Sequence, residues 1–123
     1  MTEREKTLLV VDDAPENIQL LSGLLKSRYK VKAATSGEKA LAIAGRVPAP
    51  DLILLDVMMP GMDGYEVCQR LKAEAATRSI PVIFLTGHVG DTQRERGLQL
   101  GALAFLSKPV DPDELLDIVG RSV

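Results

Sequence analysis

Short apolar runs alternate along this chain with longer segments whose apolar residues recur at three- and four-residue spacing. The short runs have the length and branching of strands buried on both faces, and the longer ones have the period of helices that bury a single stripe. Five such pairs predict an α/β fold, a doubly wound parallel sheet covered on both sides. The strands are expected at Thr7 to Val11, Lys30 to Ala34, Leu52 to Asp56, Pro81 to Leu85 and Ala104 to Ser107.

The first helix should open at Pro15, which suits a first helical position, and carry Ile18, Leu21, Leu24 and Leu25 inward up to about Ser27. Ser36 before Gly37 and Glu38 reads as a cap, with Ala40, Leu41, Ile43 and Ala44 as the stripe before Pro48 and Pro50 end the element. A third helix is expected from Gly64 to about Ala73. The fourth, from about Asp91 to Leu100, is crowded with Arg94, Glu95 and Arg96 and holds Gly97 at a cost of ~1 kcal/mol relative to Ala. It should be the least firmly held. The last is expected from Asp111 or Pro112 to Val119, with Leu115, Leu116 and Val119 facing the sheet. No linker or low-complexity segment interrupts residues 1–123, which read as one domain that could also be the corresponding part of a longer protein.

A chain of 123 residues can bury roughly two thirds of its unfolded surface in one core. The single Cys68 has no internal disulfide partner, which points to a reducing, cytoplasmic setting. Beside Val67 and near Leu71 on one helix face, it reads as a packed small hydrophobe. The polar start MTEREKT has no signal-peptide pattern, and no run approaches the ~20 apolar residues of a membrane span. Fifteen basic against seventeen acidic residues, without a basic stripe, give little reason to expect nucleic-acid binding, and no membrane partner is expected.

The polar residues that matter stand at strand ends. Asp56 closes an apolar run and is followed by the turn formers Pro60, Gly61, Asp63 and Gly64; Asp12 and Asp13 follow the first strand. Thr86 follows the fourth strand and Lys108 the fifth. Ligands of open parallel sheets bind outside the carboxyl ends of the strands, where the order reverses. Three carboxylates crowded there repel one another, and a divalent cation such as Mg²⁺, which prefers oxygen ligands, answers that repulsion. The Lys108 ammonium and the Thr86 hydroxyl suit the oxygens of a phosphoryl group on an acidic side chain. Taken singly, Asp13 reads as a cap or turn former, Thr86 as a turn residue and Lys108 as a solvated cation. Their joint placement at one sheet edge carries the functional reading.

These residues lie in VVDD at 10 to 13, LLDVMMPGMDG at 54 to 64, FLTG at 84 to 87 and GALAFLSKP at 101 to 109. With them the chain resembles the receiver domain of two-component response regulators, from about Thr7 to its end. The resemblance implies a flavodoxin-like (βα)5 fold with strand order 2-1-3-4-5. It implies that Asp56 is the phosphoacceptor, attacking a phosphohistidine on a sensor histidine kinase or phosphotransfer protein, or a small acyl phosphate. Asp12, Asp13, Asp56 and the backbone carbonyl of Met58 would hold Mg²⁺, or Mn²⁺ in its place. Thr86, Gly87 and Lys108 would hold the phosphoryl oxygens, and the Lys108–Pro109 peptide would be cis. Phe105 falls at the switch aromatic that works with Thr86, which is compatible with a core position on the fifth strand. Met58 and His88 fall at positions that tune phosphoryl lifetime; for His88 a solvated loop residue is an equally open reading.

The implied protein is a regulatory phosphoacceptor that assists its own phosphorylation and dephosphorylation, and no enzyme in its own right. Phosphorylation would draw in the Thr86 hydroxyl, let Phe105 enter the vacated space and shift the weak fourth helix. The face of the fourth helix, fifth strand and fifth helix would then meet a second copy or a fused output domain. Phe105 has no hydroxyl, so this switch must work by packing. Leu103 and Ala104 make the edge more apolar than is usual in the family, and Gly87 leaves the phosphoryl position open.

Three other classes fit less well. An aspartyl phosphatase or mutase wants a second acid two positions after the nucleophile, where Met58 stands. A nucleotide or flavin binder wants a glycine-rich phosphate loop after the first strand, where Asp12 and Asp13 would repel a phosphate. A receiver relative that has lost phosphorylation usually lacks one of the five residues, and all five are present.

Overall fold

Five parallel strands form one sheet in the computed structural model, which describes residues 5–87 and 91–123, with the side chains of 91–94 set apart. The elements follow in strict alternation: β1 (Thr7–Val11), α1 (Pro15–Leu25), β2 (Lys30–Ala34), α2 (Gly37–Ala44), β3 (Leu52–Asp56), α3 (Gly64–Ala73), β4 (Val82–Thr86), α4 (Asp91–Gln99), β5 (Ala104–Ser107) and α5 (Pro112–Ser122). The spatial order is β2-β1-β3-β4-β5, so the order reverses between β1 and β3. That is the doubly wound arrangement, with its switch point beside Asp12 and Asp56.

Successive strand residues point to opposite faces, and each face has its own core. Leu9, Val11, Ile53, Leu55 and Phe84 pack with Val67, Cys68 and Leu71 of α3 and with Ala40 and Ala44 of α2. Leu8, Val10, Leu54, Ile83 and Leu106 pack on the other face with Leu21 and Leu25 of α1 and with Leu115 and Val119 of α5. β3 and β4 are buried throughout because neighbours and helices cover them on every side. The edge strand β2 instead carries Lys30 and Lys32, charges that discourage pairing with another chain.

Several element ends differ from the periodicity-based expectation, each for a local reason. β4 runs from Val82 to Thr86 and not from Pro81 to Leu85. Pro81 has no N–H for the ladder, although its carbonyl still accepts the Ile53 amide at 3.0 Å. Thr86 is thus the last residue of the strand and not the first after it. α1 ends at Leu25, short of Ser27, where Tyr29 turns its amide back onto the Leu25 carbonyl at 2.9 Å. α4 stops one residue early, at Gln99. α5 continues past Val119 to Ser122, whose hydroxyl donates to the Ile118 carbonyl at 2.6 Å.

The glycine in α4 has a purpose that its helix propensity conceals. A Cβ at position 97 would overlap the Phe105 ring, so Gly97 is what lets the helix backbone lie on that ring. Among the described residues, no helix is long and apolar enough to cross a membrane.

Candidate functional site

The register of the sheet brings the acidic residues together. Val11 pairs with Leu55 across β1 and β3, so the next residues, Asp12 and Asp56, emerge side by side at the carboxyl edge. At the opposite end the Asp51 carboxylate accepts the Thr7 amide at 2.8 Å, and the Asp51 amide returns a bond to the Thr7 carbonyl at 2.7 Å. This pair pins the register from below. Asp12 and Asp56 are 1% and 4% exposed, whereas Asp13 is exposed, and an oxygen from each of the three carboxylates lies within 4.8 Å of the others.

Lys108 reaches into this cluster from the end of β5. Its Nζ donates to Asp12 Oδ2 at 2.8 Å and to Asp56 Oδ1 at 3.0 Å. Its backbone amide donates to the Thr86 carbonyl at 2.8 Å, which ties the ends of β4 and β5 together. Asp12 also orders the entry to α1, since its Oδ1 accepts the Ala14 amide at 2.9 Å in a helix start that lacks a side-chain cap of its own.

Burial pushes the Asp56 carboxyl above its ordinary range; the Lys108 bond opposes this, and the charges on Asp12 and Asp13 reinforce it. Burial alone would pull the Lys108 ammonium down, but its bonds to Asp12 and Asp56 outweigh that and raise it. Lysine therefore stays a cation while Asp56 is harder to ionise than a free carboxyl. Three carboxylates facing one ammonium leave two negative charges unbalanced when all are ionised. An all-oxygen cluster with that residual charge fits a hard divalent cation.

The loop after β3 is shaped by glycine. A Cβ on Gly64 would overlap the Asp56 carbonyl and stand 2.9 Å from Val57 Cα, so only glycine lets α3 begin directly against the backbone of Asp56. The Gly64 amide donates to the Val57 carbonyl at 2.9 Å, and Gly61 turns the loop at φ 75°. Asp63 then caps α3, accepting the Glu66 amide at 2.9 Å. The turn character of these residues was legible in sequence; the dependence of Asp56 on Gly64 was not, because it needs the distance.

Of the remaining residues singled out by sequence, Thr86 is buried at the same edge, with Gly87 directly after it and open space around the Gly87 Cβ position. Met58 is 73% exposed in the loop beside Asp56, while Met59 turns into the core. The Lys108–Pro109 peptide is cis. His88 lies outside the described residues. Phe105 does not join the cluster: it packs against Phe84, ring centroids 5.1 Å apart, beneath Gly97 of α4.

Sequence reading passed over Tyr65, a buried ring 5.3 Å from that of Phe84, with the Arg96 guanidinium 4.4 Å above its centroid. Burial raises the Tyr65 hydroxyl and Arg96 works against that rise. An apolar groove of about 100 Å³ opens beside the site, lined by Leu20, Leu21, Lys108, Pro109 and Val110 among others. A roomier cavity of about 390 Å³ lies at the far ends of α2 and α3, between Leu41 and Ala73, and none of the clustered carboxylates reaches it.

Residues 8–120 match the family model described as the response regulator receiver domain. The chain belongs to that family. This receiver is 50% identical over 105 residues to the response regulator PleD of Caulobacter vibrioides, a match covering 85% of this chain and 23% of PleD. It spans about a quarter of the length of that relative. The chemotaxis protein CheY4 of Vibrio cholerae superposes with a TM-score of 0.91 at 30% identity, over 98% of this chain and 100% of that one. The receiver domain of the sensor histidine kinase PA1611 from Pseudomonas aeruginosa, solved with magnesium in its active-site cleft, superposes at 0.87 with 32% identity, covering 97% and 98%. Receivers are regulatory modules of two-component systems and interact with histidine kinases.

Proposed function

We propose that this receiver takes a phosphoryl group onto Asp56 from a phosphohistidine of a sensor histidine kinase or phosphotransfer protein, or from a small acyl phosphate, in the cytoplasm. The observation that carries the reading is the cluster itself: three carboxylates with oxygens within 4.8 Å, bridged by one lysine at 2.8 and 3.0 Å. Asp12, Asp13, Asp56 and the Met58 backbone carbonyl would hold Mg²⁺, or Mn²⁺ in its place. When bound, the ion supplies positive charge against the crowded carboxylates and the oxygens of the incoming group.

The Asp56 carboxylate, aimed outward at the end of β3, attacks phosphorus. Its O–P bond forms as the P–N bond of phosphohistidine breaks, and the electron pair leaves on the imidazole nitrogen. Lys108 transfers its bonds from the bare carboxylates to the phosphoryl oxygens, joined by the Thr86 hydroxyl and the backbone at Gly87. The groove at Leu20, Pro109 and Val110 receives the apolar side of the phosphodonor next to Lys108. Met58, exposed beside Asp56, and His88 set how readily water reaches the acyl phosphate and so its lifetime. The chain regulates and assists its own modification rather than turning over an external substrate.

The signal leaves when Thr86 moves toward the phosphoryl group and Phe105 follows, shifting α4. Leu98 and Leu103, 50% and 52% exposed, then present an apolar surface with β5 and α5 to a second copy or to a fused output domain. No nucleic acid or membrane need touch this domain.

Incubation with acetyl phosphate and Mg²⁺ should add one phosphoryl mass, which Asp56→Asn should not take up. Labelling of that variant to the wild-type level would overturn the assignment. Sedimentation with and without beryllofluoride, standing in for the phosphoryl group, tests the output face. Unchanged mass together with unchanged amide exchange across residues 87 to 107 would remove it.

A further inference from the structure

Among the described side chains of α4, none is buried: Glu95, Arg96, Leu98 and Gln99 are all exposed, and buried Gly97 has no side chain. The helix nonetheless lies tight on the sheet, for a Cβ on Gly97 would overlap the Phe105 ring and come within 3.2 Å of Phe84 Cδ2. A glycine backbone on a flat ring sets the height of the helix but resists sliding poorly. The neighbouring residue supplies lateral hold. The Arg96 guanidinium sits 4.4 Å from the centroid of Tyr65, the second residue of α3. Tyr65 directly follows Gly64, which rests on the backbone of Asp56. Tyr65, Phe84 and Phe105 form a run of rings at 5.3 and 5.1 Å spacing beneath α4.

We propose that Arg96 on the Tyr65 ring is a latch that holds α4 to the first turn of α3, next to the loop that follows Asp56, so that α4 senses this turn as well as the Thr86 and Phe105 pair. The contact is electrostatic and tolerant of angle, so it can be made in one helix position and given up in another without leaving an apolar side chain stranded in water. At an exposed site such a contact shifts a two-position equilibrium about two- to fivefold. The strength suits a catch that must open. That the latch holds α4 at rest does not depend on phosphorylation; that it responds to Asp56 rests on the function proposed above.

Amide exchange of α4 in the unmodified full chain is the test. Arg96→Gln removes the charge from an exposed position, Tyr65→Leu removes the ring, and Tyr65→Phe keeps it. Exchange across α4 should quicken about two- to fivefold in Arg96→Gln and Tyr65→Leu relative to wild type, with α1 unchanged and Tyr65→Phe quickened less than Tyr65→Leu. The double variant Arg96→Gln with Tyr65→Leu should be no faster than Tyr65→Leu alone, because both break the same contact. Beryllofluoride should shift α4 in Arg96→Gln at lower concentration than in wild type, while acetyl phosphate still labels Asp56 fully. Wild-type α4 exchange in Arg96→Gln, equal quickening in α1, or additive effects in the double variant would each overturn the latch. Failure of the proposed function would show separately, as an unlabelled wild type, and the exchange comparison would still decide the latch.

Discussion

β3 with the start of α3, and α4 with β5, lie on either side of β4 and are held in opposite ways. Every residue of β3 is buried, and α3 buries Gly64, Tyr65, Val67, Cys68 and Leu71 against it. Within β5 only Leu106 is buried, and among its described residues α4 rests through a glycine backbone and one exposed arginine. The difference follows from what each region must do. Like charges stay together only where the surrounding backbone cannot relax, so the carboxylates need a packed platform. A single phosphoryl group makes few new contacts, and it can move only an element that little else restrains. On the function proposed above, one region holds the chemistry still and the other is loose enough to report it.

The sharpest test of the contrast is a pair of truncations. Ile53→Ala in β3 should destabilise the fold by about 2–5 kcal/mol, whereas Leu98→Ala in α4 should stay within about 0.5 kcal/mol. Denaturant midpoints with constant slopes measure both, and similar losses would erase the distinction between platform and reporter. Gly64→Ala comes next, because its Cβ must displace the Asp56 backbone. Overpacking of this kind costs about 1–3 kcal/mol, and acetyl phosphate labelling should slow with it. Normal labelling would show that the loop can yield without disturbing Asp56.

Mg²⁺ at ten times its Kd should add about 1.4 kcal/mol of stability, with Asp13→Ala losing most of the response. The gain should appear as slower exchange near β1 and β3, with little change in α4. A response centred on α4, or identical melting with and without Mg²⁺, would misplace the metal.

The last prediction concerns sign rather than size. Burial first, and then the Asp12 and Asp13 charges against the opposing Lys108, raise the Asp56 carboxyl above its ordinary 3.8. Its ionised form therefore costs stability at neutral pH, and that cost is relieved as pH falls through the raised value toward 3.8. Without metal, Asp56→Asn should melt above wild type at neutral pH, with the advantage fading on acidification through that window. A variant melting below wild type at neutral pH would mean that the Lys108 attraction outweighs desolvation.

Alternating apolar runs placed all five strands to within a residue, and the carboxylates at their ends, because burial on both faces leaves a mark that neighbours in sequence can show. The motifs around Asp12, Asp56, Thr86 and Lys108 then pointed to the family. β4 moved by one residue because pairing, not periodicity, sets where a strand begins. The fourth helix was legible as weak, but Gly97 looked like a defect until the ring of Phe105 was seen beneath it.

The order of polar and apolar residues by itself determined the kind of fold and the edge where chemistry could occur, since each strand and each strand end is a local pattern. Tertiary structure alone decided at what distance the charges meet and which ring lies under Arg96 of α4. Lys108 reaches carboxylates 96 and 52 residues away, and Arg96 finds its ring on another helix. Contacts of that range depend on strand order, register and helix docking, and no local period along the chain encodes a distance across the fold.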